Sequence, residues 1–422
     1  MSRPRTRALL GLLLASGALL AIALSGDLKH RAALFACLYA VAVAGYVLLL
    51  SAPSRLRLRL VVLVAVAVRL AFVPGTPSLS DDYHRYVWDG RVQVAGVNPY
   101  RYPPSSHRLD QISYPGRGRI NHPAQSTIYP PLAELLFFGV AAAGGGLLAL
   151  KVIFGVLELL TAGALALLVV RARRTEALTL YLLCPLVVIE TWSSAHLETT
   201  AVLLVVLAAA LVRRGRDGGA GVALGLAAAF KVTPAFLLIP ALLGHRARPT
   251  RFLPGFALAW GLPYVPYLLS GGASGSLGSV REDTGGLGFF LLHRLLSYGA
   301  AAAVCAALAV AGAALIARRL PGRPATAAAF AWSATILLLG MPIVHSWYWL
   351  APVALALAAG LRLPLYLGLA GPAAEVAGLR WGGYRGWVHL LTYSPLLAGL
   401  PALVHRVRRP PRGNGAGQQH PR

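Results

Sequence analysis

The tightest constraint on this chain is a repeat of character rather than of motif. Apolar runs of roughly 15 to 20 residues follow one another along most of its length, each close to the span of a bilayer as a helix. One such run would fit the buried helix of a soluble protein; a dozen do not. An outer-membrane barrel would show short alternating segments, and none dominate. Charged residues are 13% of the 422 positions, against about 25% in a soluble domain. The sequence therefore predicts an all-α, polytopic helical membrane protein with about 13 to 14 transmembrane helices.

The net charge of +25 would suggest nucleic acid if it were pooled. It is dispersed instead. Arginines come in small groups between apolar runs, among them Arg55, Arg57 and Arg59; Arg171, Arg173 and Arg174; Arg213, Arg214 and Arg216; and Arg318, Arg319 and Arg323. Such punctuation is the positive-inside pattern, so the charge sets topology and no nucleic-acid partner is expected. Cys37, Cys184 and Cys305 fall in apolar runs without disulfide or metal spacing.

Placing every arginine group inside orients the runs. Residues 1–57 are expected to form an N-terminal transmembrane hairpin with a basic inner loop, its first helix basic and then apolar like a signal peptide but uncleaved. Residues 58–405 form the main transmembrane module, and 406–422 a disordered basic tail rich in Pro, Gly and Gln. Crossings are predicted near 58–74, 151–170, 177–191, 198–212, 252–269, 297–317, 325–341, 348–361, 363–378 and 388–405. The stretch 218–245 is broken at Lys231 and Pro234 into two helices. The long outer loop spans 75–150. Within it, 131–148 is apolar enough to cross, yet counting it would invert every later arginine group, so it reads as an interfacial or re-entrant helix.

With this orientation Asp27, Asp81, Asp82, Asp89, Asp110, Glu134, Glu190, Glu198, Glu282 and Asp283 fall on the outer side, and only Glu176 and Asp217 clearly inside. Acids do little to set topology, so their segregation is independent information. It points to one polar site at the outer membrane surface, with both termini inside.

The candidates for chemistry follow. Asp81 and Asp82 open the segment SDDYHRYVWDG; adjacent carboxylates at a membrane rim suit a general base, although Ser80 and Asp81 would also serve to cap a helix. Asp82, Arg85, Tyr86 and Asp89 share a helical face, so Arg85 can hold a carboxylate or a phosphate. His196 and Glu198 lie in the polar break WSSAHLET. Lys231 is one of only three lysines against 36 arginines, set at a helix break where a compact ammonium can meet phosphate. His345, Trp347 and Tyr348 in HSWYW, and Tyr129 in IYPPL, serve equally as an interfacial aromatic belt or as sugar-stacking rings. Glu158 is the one clear mid-span acid, read as a helix-packing hydrogen bond. There is no Walker A loop, no GxGxxG in a strand–helix context, no HExxH and no CxxC. An outer-face enzyme would then need a substrate already activated in the membrane.

SDDYHRYVWDGRVQVAGVNPYRYPP, NHPAQSTIYPPLAELLF, WSSAHLE, AAAFKVTPAFLLIP and PIVHSWYWLAP together resemble the GT-C class of integral membrane glycosyltransferases. They are most similar to the bacterial polyprenol-phosphate-mannose-dependent α-mannosyltransferases. The resemblance covers roughly 58–360, with the first two helices expected to be an addition ahead of the family's usual first span. It implies an Asp base in the first outer loop, here Asp82 or Asp81 with the preference for Asp82, and Lys231 on the donor phosphate. It implies a lipid-linked sugar phosphate as donor substrate with no separate cofactor, and a glycan or glycolipid as acceptor. The location implied is the bacterial cytoplasmic membrane, with the lipid bilayer as partner and the active site facing outward. A lipid-linked sugar flippase would show polar residues through the whole membrane depth. A polysaccharide polymerase would favour arginine in its outer loops.

Overall fold

The computed structural model describes residues 3–244, 247–273 and 285–381, with 389, 392–394 and 396. The expected crossing at 388–405, the tail at 406–422, Glu282, Asp283 and most of the glycine stretch 271–278 lie outside those residues or largely so. Among the described residues there are helices and connections and no strand.

In chain order the helices are α1 (Arg3–Leu24), α2 (Ala32–Leu49), α3 (Leu58–Phe72), α4 (Asp82–Val94), α5 (Pro131–Ala142), α6 (Leu147–Leu168), α7 (Arg174–Leu182) and α8 (Pro185–Val188). There follow α9 (Glu198–Arg213), α10 (Asp217–Phe230), α11 (Leu238–Leu243), α12 (Pro249–Gly261), α13 (Val265–Leu269) and α14 (Leu287–His293). The series ends with α15 (Tyr298–Arg319), α16 (Thr326–Gly340), α17 (Leu350–Ala359) and α18 (Leu363–Trp381).

The protein is thus a polytopic helical membrane protein. Among the described residues, five stretches are long and apolar enough to cross a bilayer unaided: Pro4–Leu24, Ala32–Leu49, Leu147–Leu168, Pro249–Leu269 and Tyr298–Arg319. A sixth is a pair bent by 52°, Arg171–Leu182 with Pro185–Ser193. Other expected crossings are present as shorter helices, such as the 15 residues of α3 and the 16 of α9. The length-based number is lower than the predicted one because proline and polar breaks divide several runs. Pro185 withholds a backbone donor at the α7–α8 bend, and Lys231 leaves the helical region (φ −153°, ψ 132°) where α10 stops. α5 is a helix of 12 residues, too short to span a bilayer straight.

One consequence of the α7–α8 bend is a freed carbonyl on Leu182. Arg69, from the last turn of α3, donates to it at 2.8 Å and grips Glu158 of α6 with both Nε and Nη2 at 2.8 Å. Trp192 Nε1 adds a hydrogen bond to the same carboxylate at 3.2 Å. Glu158 is therefore one half of a buried ion pair that ties three elements together. The N-terminal hairpin is packed into the bundle as well: the Tyr39 hydroxyl donates to Leu369 O at 3.0 Å and that of Tyr46 to Leu180 O at 2.9 Å.

The connections gather at two ends. At one, Arg323 bonds Asp217 at 3.0 Å, Gly322 N–H reaches Gly244 O at 2.8 Å, and Arg213 bonds the Leu168 carbonyl. At the other lie the α1–α2 connection, the long 75–130 segment, the break before α9, Lys231 and the turn ahead of α17. The loops carrying Arg213 and Arg323 lie at the first of these ends, and the candidate chemistry, with Arg85 and Arg119 of the long segment, lies at the second.

Candidate active site

α4 carries the central acids. Ser80 Oγ accepts the Asp82 N–H at 3.3 Å and so starts the helix, whereas the Asp81 side chain makes no cap. Asp81 turns instead to Lys29 of the α1–α2 connection, at 3.1 Å. Asp82 Oδ1 accepts from Asn121 Nδ2 at 2.7 Å. α4 is held close to α5 because position 90 is glycine: a Cβ there would stand 2.4 Å from the Phe137 carbonyl oxygen. Tyr86 fixes the same contact by stacking on Phe137, ring centres 4.8 Å apart.

Arg85 is engaged by Asp89 and the Gln125 carbonyl. Its Nε meets both Asp89 oxygens at 2.9 and 3.0 Å, and Nη2 donates to Gln125 O at 3.0 Å. The sequence reading left a carboxylate or a phosphate as its partner; in this structure it is the carboxylate. Behind it, Glu134 accepts from Thr127 Oγ1 at 2.6 Å and Gln93 Nε2 at 2.9 Å. Burial lifts the Asp89 carboxyl above the usual carboxylate range in spite of Arg85. Burial, then the charge of Asp89, holds Glu134 higher still. Both carboxyls thus hold a proton more readily than free acids do.

The second wall comes from the helix breaks. After α8 the chain makes a wide π turn, Ile189–Ser193, and Ala195 sits at φ +57°, a left-handed conformation uncommon outside glycine. This turn brings His196 Nδ1 to 2.9 Å from Glu190. Glu198 then opens α9 and pairs with Lys231. Lys231 Nζ also lies 3.3 Å from the centre of the Tyr348 ring. His345 stacks on Trp347 at 4.4 Å with the planes 7° apart.

These pieces enclose a cavity of about 560 Å³. Asp81, Asp82, Arg85, Tyr129, Glu198, Lys231, His345, Trp347 and Tyr348, expected at one site on sequence grounds, all line it. His196 does not. It is buried behind Trp347, ring centres 3.7 Å apart, and its Nε2 has no hydrogen-bond partner among the described residues. Its place is a backing for the aromatic wall rather than a lining contact. Asn121, Gln125 and Thr233 line the cavity and were not foreseen; the only sequence signal was the polar run NHPAQS opposite the acids. Among the described residues no three His, Cys, Asp or Glu side chains group as metal ligands.

An all-helical bundle whose breaks deliver an acid, a lysine and stacked rings to one polar cavity is the arrangement of a polytopic membrane transferase. Residues 8–248 match the family described as alpha-(1->6)-mannopyranosyltransferase, N-terminal domain. That is more than half of the chain, which belongs to this family, the MptA_B family, and is a bacterial GT-C-like α-mannosyltransferase. The match begins at residue 8, so the first two helices are part of the family's domain and not an addition ahead of it. No curated protein and no solved structure matches the chain.

Proposed function

We propose that the protein transfers mannose from a polyprenyl-phosphate donor to a glycan or glycolipid acceptor at the outer face of the cytoplasmic membrane. Asp82 is the general base. The acceptor hydroxyl gives its proton to the Asp82 carboxylate while its oxygen bonds to C1 of the mannose. The bond from C1 to the phosphate oxygen breaks, and polyprenyl phosphate leaves with the bonding pair. Asn121 orients the Asp82 carboxylate through one oxygen and leaves the other for the proton.

The transition state of glycosyl transfer carries positive charge at the sugar and growing negative charge on the leaving group. Lys231 answers the second need: an ammonium has three donors, and Glu198 with the Tyr348 ring leaves one for the phosphate. The His345 ring, stacked over Trp347, offers a flat face on which a sugar ring stacks. The observation that carries this reading is that Asp82 and Lys231 line the same cavity.

The test uses membranes containing the protein and mannose labelled on one of two donors, polyprenyl phosphate or a nucleotide. Label is expected to move only from the lipid donor. Transfer straight from the nucleotide sugar, in membranes stripped of polyprenyl phosphate, would rule the donor assignment out.

A further inference from the structure

A second cavity of about 550 Å³ lies on the other side of Asp81. Its walls are the α1–α2 connection, the turn after α3, the start of α4 and the start of α6. Two of the chain's three lysines, Lys29 and Lys151, line it together with Arg119; the third lysine is in the first cavity. A chain that uses arginine almost everywhere has thus placed every lysine at one of two adjoining cavities.

The positive charge of the second cavity is under-compensated. Its acids are Asp27 and Asp81. Asp27 is engaged by the His30 ring at 2.8 Å and the Lys29 N–H at 3.0 Å. Asp81 is paired with Lys29. Lys151 is 2% exposed, and its ammonium is met by the carbonyls of Phe72 and Gly75 with no carboxylate beside it. The Arg119 guanidinium makes no hydrogen bond or ion pair among the described residues. A buried ammonium satisfied by carbonyls alone is costly, and a free guanidinium next to it draws in anions. Among the neighbours, burial and then the Arg119 charge hold His84 below the ordinary imidazole range, so it adds no standing charge.

The cavities share Asp81, and Asp82 is the next residue in the chain. Asp82 lines the first cavity and not the second, so an acceptor anchored in the second reaches the base by extending past the Lys29–Asp81 pair. We infer that the second cavity receives the acceptor, and that this acceptor carries an anionic group, a phosphate ester or a carboxylate, held by Lys29, Lys151 and Arg119. The inference deepens the reading of Asp82 as base and rests on it for the direction of transfer. The anion site itself does not depend on turnover.

The test is calorimetric titration of the full chain in nanodiscs of neutral lipid, with mannose 6-phosphate as probe and mannose as its uncharged control. The phosphate is expected to bind about tenfold or more tighter than mannose. Arg119→Gln and Lys29→Gln should each weaken it about fivefold or more, while Lys231→Ala and Asp82→Asn leave it in place. Equal binding of the two probes would overturn the proposal. So would a loss in Lys231→Ala with none in Arg119→Gln, which would move the anion to the first cavity. A repeat in phosphatidylglycerol discs identifies the source: competition supports a lipid headgroup in the second cavity, and unchanged binding supports a charge on the glycan. Retained phosphate binding together with undiminished transfer by Asp82→Asn would remove the base assignment and leave the anion site standing.

Discussion

The Lys231 ammonium lies 3.3 Å from the centre of the Tyr348 ring, and the Glu198 carboxylate closes on it from α9. Lys231→Ala is expected to raise the apparent KM for polyprenyl-phosphate mannose about tenfold, since a charge-assisted phosphate contact is lost. Lys231→Arg should restore little, because a planar fork does not fit between a ring and a carboxylate as a point charge does. Steady-state transfer at varied donor concentration checks both; an unchanged donor KM in Lys231→Ala would reduce this lysine to an interfacial anchor.

Arg69 and Glu158 are 2% and 0% exposed at their side chains. Removing one partner leaves a buried charge alone, which costs about 3–5 kcal/mol, whereas an apolar replacement of both is far cheaper. Arg69→Met should therefore lower the thermal midpoint in detergent sharply, and Arg69→Met with Glu158→Leu should recover most of it. A double variant no better than the single one would show that the Leu182 carbonyl contact, not the ion pair, is what matters.

The Asp89–Glu134 pair sets a pH dependence. Both carboxyls are raised in the fold, so the folded state holds a proton that an unfolded chain releases above its ordinary carboxylate range of about pH 4 to 4.5. Their contribution to stability is present in acid and falls as the pH rises through the raised values. Glu134→Gln keeps a neutral partner without that proton, and its melting temperature should vary less than the parent's from about pH 5 to pH 8. Asp89→Asn behaves differently: it strands Arg85 and should cost about 3 kcal/mol.

Sequence reasoning reached the class of fold, and nine of the ten residues it gathered at one place line one cavity, because both readings depend on sparse signals. In so apolar a chain, acids, lysines and aromatic clusters stand out, and the arginine groups indicate which breaks share an end. What it missed depends on three-dimensional details that spacing does not encode. His196 stacks behind Trp347 because of a π turn and a left-handed Ala195. Arg69 was one more arginine until the bend at Pro185 freed the Leu182 carbonyl beside it. Lys29 and Lys151 are far apart in sequence, and only the folded α1–α2 connection brings them to one cavity.

The central claim is that Asp82 removes the acceptor proton, and one comparison tests it most directly. Labelled mannose transfer should be measured with the parent, Asp82→Asn and Asp81→Asn at matched amounts of folded protein and saturating lipid donor. Loss of a general base costs about 100- to 10,000-fold in rate, so Asp82→Asn should fall by that much. Asp81→Asn, whose carboxylate is turned to Lys29, should keep a readily measured rate. Transfer by Asp82→Asn within a few-fold of the parent would contradict the assignment, whatever Asp81→Asn does.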